Sequence, residues 1–484
     1  MMTGTPIVSA RGAHGQSLTR EMLTAIDGEA LTRFLLARRW FGAKGGRPSA
    51  ARFREIIPLP WDGGRMVLAT VEVTVAADRT ERYQLPLARL DAAFVDRTQP
   101  PRALLAEVDG GGLIVDAVED LRFLEGLADA MRRGVTIEGE GARWIFTPAG
   151  DIGTQLEGQR PRLGSAEQSN TSIIFGDRAI LKLFRRLETG ENPDVEIGRF
   201  LTSKTAFHGS PALLGTIRLE SEGGSSVSGI LQTFVAGSRD AWGYTLDCAR
   251  RAFGAPAEQE MAPAFADEAR ALGRITRELH DALASDAEDP DFTPQPATDR
   301  DVAQWIAAAK RSIDEGLGLL ESRLGGAGLG DEATAAARVL IRRRAEFPRL
   351  VDEIQVQVRR NAGALIRHHG DYHLGQVLRT PDGNFMIIDF EGEPARSLAE
   401  RRARHCPLRD VAGMLRSFAY AAATAATDPS VKVARGVVEI RAGRWQRDVR
   451  KAFMSGYLSG RATGAQFLPS QRTSISALTT LFEI

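Results

Sequence analysis

The sequence predicts an α+β protein in two unequal parts, strand-rich before Gly237 and mostly helical after it. Three observations carry this. Apolar runs with partial alternation, such as Met66 to Val75, fall in the first part. Stretches with apolar residues at helical spacing, such as Glu268 to Leu283, fall in the second. At 484 residues the chain exceeds one ordinary core, and about 100–200 residues per domain implies two to four compact units.

Taken in order, Leu18 to Arg39 reads as helix, interrupted by the glycines and proline of W-F-G-A-K-G-G-R-P (Trp40 to Pro48). Met66 to Val75 and Arg82 to Leu87 read as strands, so residues 1–95 form a small α+β unit. Residues 96–155 form an intermediate segment, with an acidic helix at Val118 to Met131 and a strand at Ala142 to Pro148. Residues 156–237 hold a polar loop, a hairpin turning at F-G-D-R, and a helix opened by Asn192 as N-cap and Pro193 at its first position. A third strand, Ser228 to Gly237, closes that section. Residues 238–484 read as helices at Glu268 to Leu283, Val302 to Leu324, Glu332 to Arg359 and Leu408 to Thr427, with two more to the end. The acid- and proline-rich stretch Ser285 to Arg300 reads as a surface loop.

The bulk numbers exclude several classes. Apolar residues make up 43% and charged residues 26%, ordinary for a soluble globular protein. Lys plus Arg equals Asp plus Glu at 62 each, leaving no global field to attract nucleic acid or an anionic bilayer. Cys248 and Cys406 are the only cysteines, which fits a reducing cytosol. No secretory signal and no apolar run long enough to span a bilayer is present, so a cytoplasmic protein is expected.

The densest chemistry lies in H-H-G-D-Y-H-L-G-Q-V-L-R-T-P-D-G-N-F-M-I-I-D, His368 to Asp389, continuing F-E-G-E-P. Asp371 and Asp389 both stand where a short apolar segment gives way to loop. Turn or cap roles would explain either acid alone. With Gln376 five residues beyond Asp371, the set instead suits phosphoryl transfer, one carboxylate orienting a hydroxyl while the other and the amide offer oxygens to magnesium. His368, His369 and His373 suggest zinc as a rival, but Cys406 is the only soft ligand nearby and zinc does not require the D-F-E-G-E-P continuation. His369 reads more simply as a loop buttress.

Lys182 lies within the apolar strand A-I-L-K-L-F, where a lysine is costly unless it snorkels or meets an anion. Glu196 follows 14 residues later on the next helix, and a strand lysine paired with a helix glutamate can hold nucleotide phosphates. Asp194 fits compensation of the helix dipole better. In the loop Gly164 to Ser172, Ser165, Gln168, Ser169 and Asn170 offer donors to phosphate. The strand Ile230 to Val235, with Gln232 and Val235, falls where a hinge would offer backbone groups to adenine. Asp410 begins a helix and reads as a structural carboxylate satisfying nearby N–H groups.

These residues in this order resemble the aminoglycoside-phosphotransferase and choline-kinase branch of the protein-kinase-like fold, and within it the bacterial maltokinases. The likeness rests on L-A-R-R-W-F-G-A-K-G, A-E-Q-S-N-T-S, N-P-D-V-E-I-G-R-F-L, H-G-D-Y-H-L-G-Q-V-L-R, D-F-E-G-E-P-A-R and P-L-R-D-V-A-G-M-L-R-S-F, between about residues 30 and 425. It implies a bilobal fold, with an N-terminal cap (1–95) and an intermediate subdomain (96–155) before a β-rich N-lobe (156–237), then a helical C-lobe (238–484). It further implies ATP- and Mg²⁺-dependent phosphorylation of maltose at its anomeric hydroxyl, feeding α-glucan synthesis, with trehalose synthase as an associated partner. Carried over by position, Asp371 is the base, Gln376 and Asp389 the metal ligands, and Lys182 the phosphate anchor with Glu196 its partner. Ser165, Ser169, Gln232 and Val235 line the nucleotide, and His373, Glu391 and Arg409 contact substrate. The family pattern continues beyond a Tyr-Glu pair, whereas this sequence ends L-T-T-L-F-E-I, which bears on sugar choice. Two other readings stay open: an amino-sugar kinase such as a glucosamine kinase, and a non-catalytic glucan-binding module.

Overall fold

The computed structural model describes residues 7–8, 17–42, 48–76, 79–91, 103–109, 112–164, 169–256, 265–286, 288–324, 330–359, 361–460 and 467–484. The chain divides into two compact units, the first comprising Met1–Arg199 and Pro211–Ala236, the second Phe200–Ser210 and Gly237–Ile484.

The first unit holds two sheets, each of seven strands among the described residues. In one, the strands Ile7–Val8, Leu104–Val108, Gly112–Asp116, Arg79–Asp91, Met66–Ala76 and Ala50–Pro58 lie in that order, and Arg186–Leu187 also pairs with Arg79–Asp91. Alternation along its Met66–Ala76 strand sorts side chains into two cores. Val67, Ala69, Val71 and Val73 face the helices Arg20–Thr24 and Gly28–Leu36, whose Leu23, Leu31 and Leu35 are fully buried. Met66 and Leu68 instead join Phe123 and Leu127 of the Leu121–Arg133 helix and Trp144, Phe146 and Leu231 of the second sheet. Burial on both faces over its first half explains why the alternation in this strand is only partial.

The second sheet runs Thr136–Gly139, Ala142–Pro148, Leu213–Ser221, Gly224–Thr233, Ala179–Phe184, Asn170–Phe175, Pro161–Leu163. It includes the expected F-G-D-R hairpin, in register from Asn170 opposite Phe184 to Phe175 opposite Ala179. The strands Leu104–Val108 and Gly112–Asp116 pair into the same sheet as residues 50–91. Thr136–Gly139 and Ala142–Pro148 belong to the second sheet. Pairing of this kind between segments is not carried by sequence periodicity.

A buried polar network ties the sheets together. The Gln84 amide donates to the Phe184 and Ser228 carbonyls at 2.7 and 2.5 Å, and the Ser228 hydroxyl, donating to Gln84, accepts from Trp144 Nε1 at 2.9 Å. Arg185, only 1% exposed, pairs with Asp116 at 2.8 Å, donates to Thr171 at 2.8 Å and lies over Trp40.

In the second unit, helices dominate: Ala241–Gly254, Ala266–Leu283, Asp299–Leu324, Asp331–Arg342, Glu346–Val358, Leu408–Ala426, Arg435–Leu458 and Arg472–Glu483. The stretch Glu332 to Arg359, expected as one helix, is two. Pro348 lacks an N–H and suits only a first turn, so the second helix restarts at Glu346. Similarly, Leu18 to Arg39 divides into two short helices, the first capped by the Thr19 side chain. The Ala266–Leu283 and Arg435–Leu458 helices cross at Gly273 and Gly456, where a Cβ on either would overlap the other's backbone. Among the described residues, no helix is long and apolar enough to cross a membrane.

Candidate active site

The segment carrying Asp371 lies wholly in the second unit and is pinned at several points. Ile366 and His405 exchange backbone hydrogen bonds at 3.0 and 2.9 Å, and Val377–Arg379 pairs with Phe385–Ile387, Val377 opposite Ile387. Between these anchors Gly370 takes φ +84°, and Leu374–Gln376 forms a single 3₁₀ turn. His373 caps that turn, its Nδ1 accepting from the Gly375 N–H at 3.0 Å. Asp371 emerges with its side chain 36% exposed, 3.9 Å from His373 Nε2.

Asp410 provides the brace. It is fully buried, and its oxygens accept from the His369 N–H at 2.8 Å, the Gly370 N–H at 3.0 Å and His280 Nε2 at 3.1 Å. His280 then accepts at Nδ1 from the Tyr457 hydroxyl at 2.9 Å, which fixes its tautomer. Burial alone would raise the Asp410 pKa, but His368 nearby and the His280 hydrogen bond hold it well below the usual carboxylate range. The sequence reading gave Asp410 a structural role at the start of its helix; the N–H groups it satisfies belong to the loop of Asp371. Gly413, one turn on, allows the approach, since a Cβ there would stand 2.6 Å from the Tyr372 carbonyl. Burial pushes His368 down to about 4 and His405 well below its ordinary value, so both rings are neutral near pH 7.

His369 acts as the expected buttress. Its Nε2–H donates to the Ile388 carbonyl at 2.9 Å, leaving Nδ1 to accept from the Asp371 N–H at 3.4 Å. One ring thus ties the backbone of Asp371 to the residue before Asp389. With both nitrogens engaged, it is no zinc ligand.

Asp389 takes φ +69°, a left-handed conformation that Asp enters more readily than most residues and that clusters at functional sites. Its carboxylate and that of Glu391 bring oxygens within 4.8 Å of each other. Gln376 is half-buried, and its carbonyl accepts from the Ile388 N–H at 3.0 Å, which sets its turn beside Asp389. Hard oxygen donors of this kind suit Mg²⁺ rather than a soft metal. Glu391, expected at substrate, does not line the cavity described next and sits instead with the candidate metal ligand.

A cavity of about 490 Å³ opens beside Asp371, within the ~300–1,000 Å³ usual for small-molecule sites. His373 and Arg409, expected at substrate, line it. Trp242, Glu393, Arg416 and Tyr420 line it as well, and the sequence reading missed them. A signal was available: Arg409, Gly413, Arg416 and Tyr420 recur at three- and four-residue spacing along one face of the Leu408–Ala426 helix. Trp242 lies at the start of the Ala241–Gly254 helix, which was also missed and which Asp240 caps by accepting from the Gly243 N–H at 2.7 Å.

The nucleotide-side candidates lie in the first unit. Lys182 pairs with Ser172 across the Asn170–Phe184 hairpin, and its Nζ stands 3.4 Å from the fully buried Asp194 carboxylate. Asp194, which the sequence assigns to the helix dipole, also contacts the lysine, placed there because Asn192 Oδ1 accepts the Asp194 N–H at 2.8 Å. Glu196 is buried on the same helix. Gln232 is buried in the Gly224–Thr233 strand opposite Ile180, Val235 is half-buried just beyond it, and Ser169 is exposed beside Asn170. Ser165 and Gln168 lie outside the described residues.

A family model described as the maltokinase N-terminal cap domain matches residues 34–120, and its reach past residue 95 agrees with the continuous first sheet. A glucosamine kinase of Streptacidiphilus jiangxiensis is 28% identical over 351 residues, covering 72% of this chain and 68% of that protein. A glucosamine kinase of Mycolicibacterium smegmatis is 29% identical over 308 residues, covering 62% and 68%. Among solved structures, a glucosamine kinase in complex with glucosamine, ADP and inorganic phosphate superposes with a TM-score of 0.60 at 22% identity, covering 90% of this chain and 87% of that one. The chain therefore has the bilobal protein-kinase-like fold, with a cap and a strand-rich N-terminal part before a helical C-terminal part.

Proposed function

We propose that this chain, a small-molecule kinase by fold and relatives, transfers the terminal phosphoryl group of ATP to a sugar hydroxyl, with maltose and its anomeric hydroxyl as the leading acceptor. The observation that carries this reading is Asp371, lining a cavity of about 490 Å³ from a loop braced by Asp410 and His369. A carboxylate so held can accept or orient the acceptor's proton as the new O–P bond forms. Asp389, Glu391 and Gln376 would hold Mg²⁺, which supplies neutralisation of phosphate charge when bound. Lys182, steadied by Asp194, would hold phosphate oxygens, while Gln232, Val235 and Ser169 would contact the nucleotide. Maltose is favoured by the cap match, whose description is that of maltokinases. Glucosamine is the second reading, favoured by the names of the two curated relatives.

The test is ATP and Mg²⁺ with a panel of maltose, glucosamine, glucose and an aminoglycoside, reading ADP release and the position of the phosphate on the product. Maltose 1-phosphate is the expected product. ADP formed only with glucosamine would sink the maltose assignment, and no turnover with any sugar would favour a binding module.

A further inference from the structure

We propose that the cavity beside Asp371 selects an uncharged sugar and that Arg409 enforces the choice by neutralising Glu393. The inference rests on the kinase reading for what is transferred, but its argument is one of charge. Three carboxylates border the cavity. Asp371 must face the reacting hydroxyl. Asp410 gives both oxygens to the loop and to His280. That leaves Glu393 as the counter-ion an ammonium would need, and Glu393 is already engaged: it accepts from Arg396 Nε at 2.6 Å and stands 3.5 Å from Arg409 Nη2.

An amino sugar would therefore bring its cation beside Arg409 and Arg416, with no free carboxylate to repay its desolvation. Repulsion of this kind is a common source of specificity. An uncharged sugar meets no such conflict. Glu393 keeps lone pairs to accept hydroxyls, and Arg409, whose side chain is 21% exposed, makes only that one long contact among the described residues and has further N–H donors for them. Burial, with Arg396 close by, draws the Arg409 guanidinium below its ordinary pKa, the sign of a cation short of acceptors. Trp242 and Tyr420 supply aromatic surface at the same cavity, and Tyr420 is 65% exposed, an aromatic for which folding alone has no use.

The test uses the full chain, wild type against Arg409→Ala and Arg396→Ala/Arg409→Ala, with folding checked by calorimetry. Two readouts are taken: kcat/KM for maltose, glucose and glucosamine with ATP and Mg²⁺, and direct binding of each sugar by titration calorimetry. Wild type is expected to favour an uncharged sugar over glucosamine by about tenfold or more. Freeing Glu393 should move that ratio toward glucosamine by a similar factor, most in the double variant, and Arg409→Lys should restore it. A wild-type preference for glucosamine, or a ratio unmoved in folded variants, overturns the proposal while leaving the kinase reading intact. If no sugar is phosphorylated above the Asp371→Asn background, the kinase reading fails and the titration decides: binding of maltose or glucose without glucosamine supports the charge argument, and any other pattern overturns it.

Discussion

Asp116 in the first unit and Asp410 in the second are both almost completely buried carboxylates, yet they hold different things. Asp116 pairs with one cation, Arg185, and accepts from the Val118 N–H at 3.3 Å, joining secondary-structure elements around an apolar core. Asp410 spends its oxygens on His280 and on two N–H groups of the loop that carries Asp371. The first carboxylate secures a fold that hydrophobic burial already favours. The second sets the backbone from which Asp371 projects. Buried charge in one unit therefore bears on stability, and in the other on stability and chemistry together.

The sharpest way to break this comparison is Asp410→Asn. It keeps the shape, weakens the acceptors for His369 and Gly370 and leaves buried partners poorly matched, a loss of about 3–5 kcal/mol by analogy with broken buried pairs. Displacement of Asp371 by about 1 Å should lower kcat roughly 10²-fold. Thermal unfolding and kcat measured on the folded fraction separate the two effects; an unchanged kcat would deny Asp410 its positioning role. Asp116→Asn should cost a comparable ~3–5 kcal/mol, since Arg185 loses its counter-ion, while kcat of the folded fraction stays near wild type. A matching fall in kcat would erase the contrast.

Next in size is an acid effect confined to the second unit. The unfolded chain's His368 takes up a proton near pH 6.5, but burial keeps the folded ring neutral down to about 4. Between those values the unfolded state binds the extra proton, so stability falls as pH drops through this window, by about 3 kcal/mol in all. Above pH ~6.5 the contribution is constant. Urea unfolding at stepped pH should show this slope, and His368→Leu should reduce it, His405, which burial also holds neutral, keeping the remainder. The smallest effect is expected from Arg450→Ala, which breaks the pair with Glu483. With the arginine 43% exposed, about 0.2–1 kcal/mol is at stake, and a larger loss would mean that the last helix matters more to the fold than its contacts suggest.

The same contrast governs what could be read in advance. Met66 to Val75, the F-G-D-R hairpin and the Asn192-Pro193 helix start were legible because local periodicity and capping chemistry determine them. Which sheet Leu104–Val108 and Ala142–Pro148 would join was not, because strand pairing between distant segments leaves no mark on a single strand's pattern. At the site, Asp371, Gln376 and Asp389 stood out as unlike residues packed into one short segment. Asp410 did not, since an acid in the first turn of a helix has an ordinary local explanation. The Asp194 contact with Lys182 was hidden for a related reason: an acid in the first turn of a helix already has the dipole to explain it, and only the three-dimensional position of the strand lysine shows the contact. Glu393 and Tyr420 were hidden because each is unremarkable until the cavity gathers them.

The central claim, that the loop of Asp371 is a phosphoryl-transfer site, is tested most directly by Asp371→Asn. ADP release with ATP, Mg²⁺ and the preferred sugar is measured beside calorimetric titration of ATP. Turnover should fall by about 10²–10⁴-fold with ATP affinity unchanged. ADP release near the wild-type rate, from a variant that binds ATP normally, would contradict it.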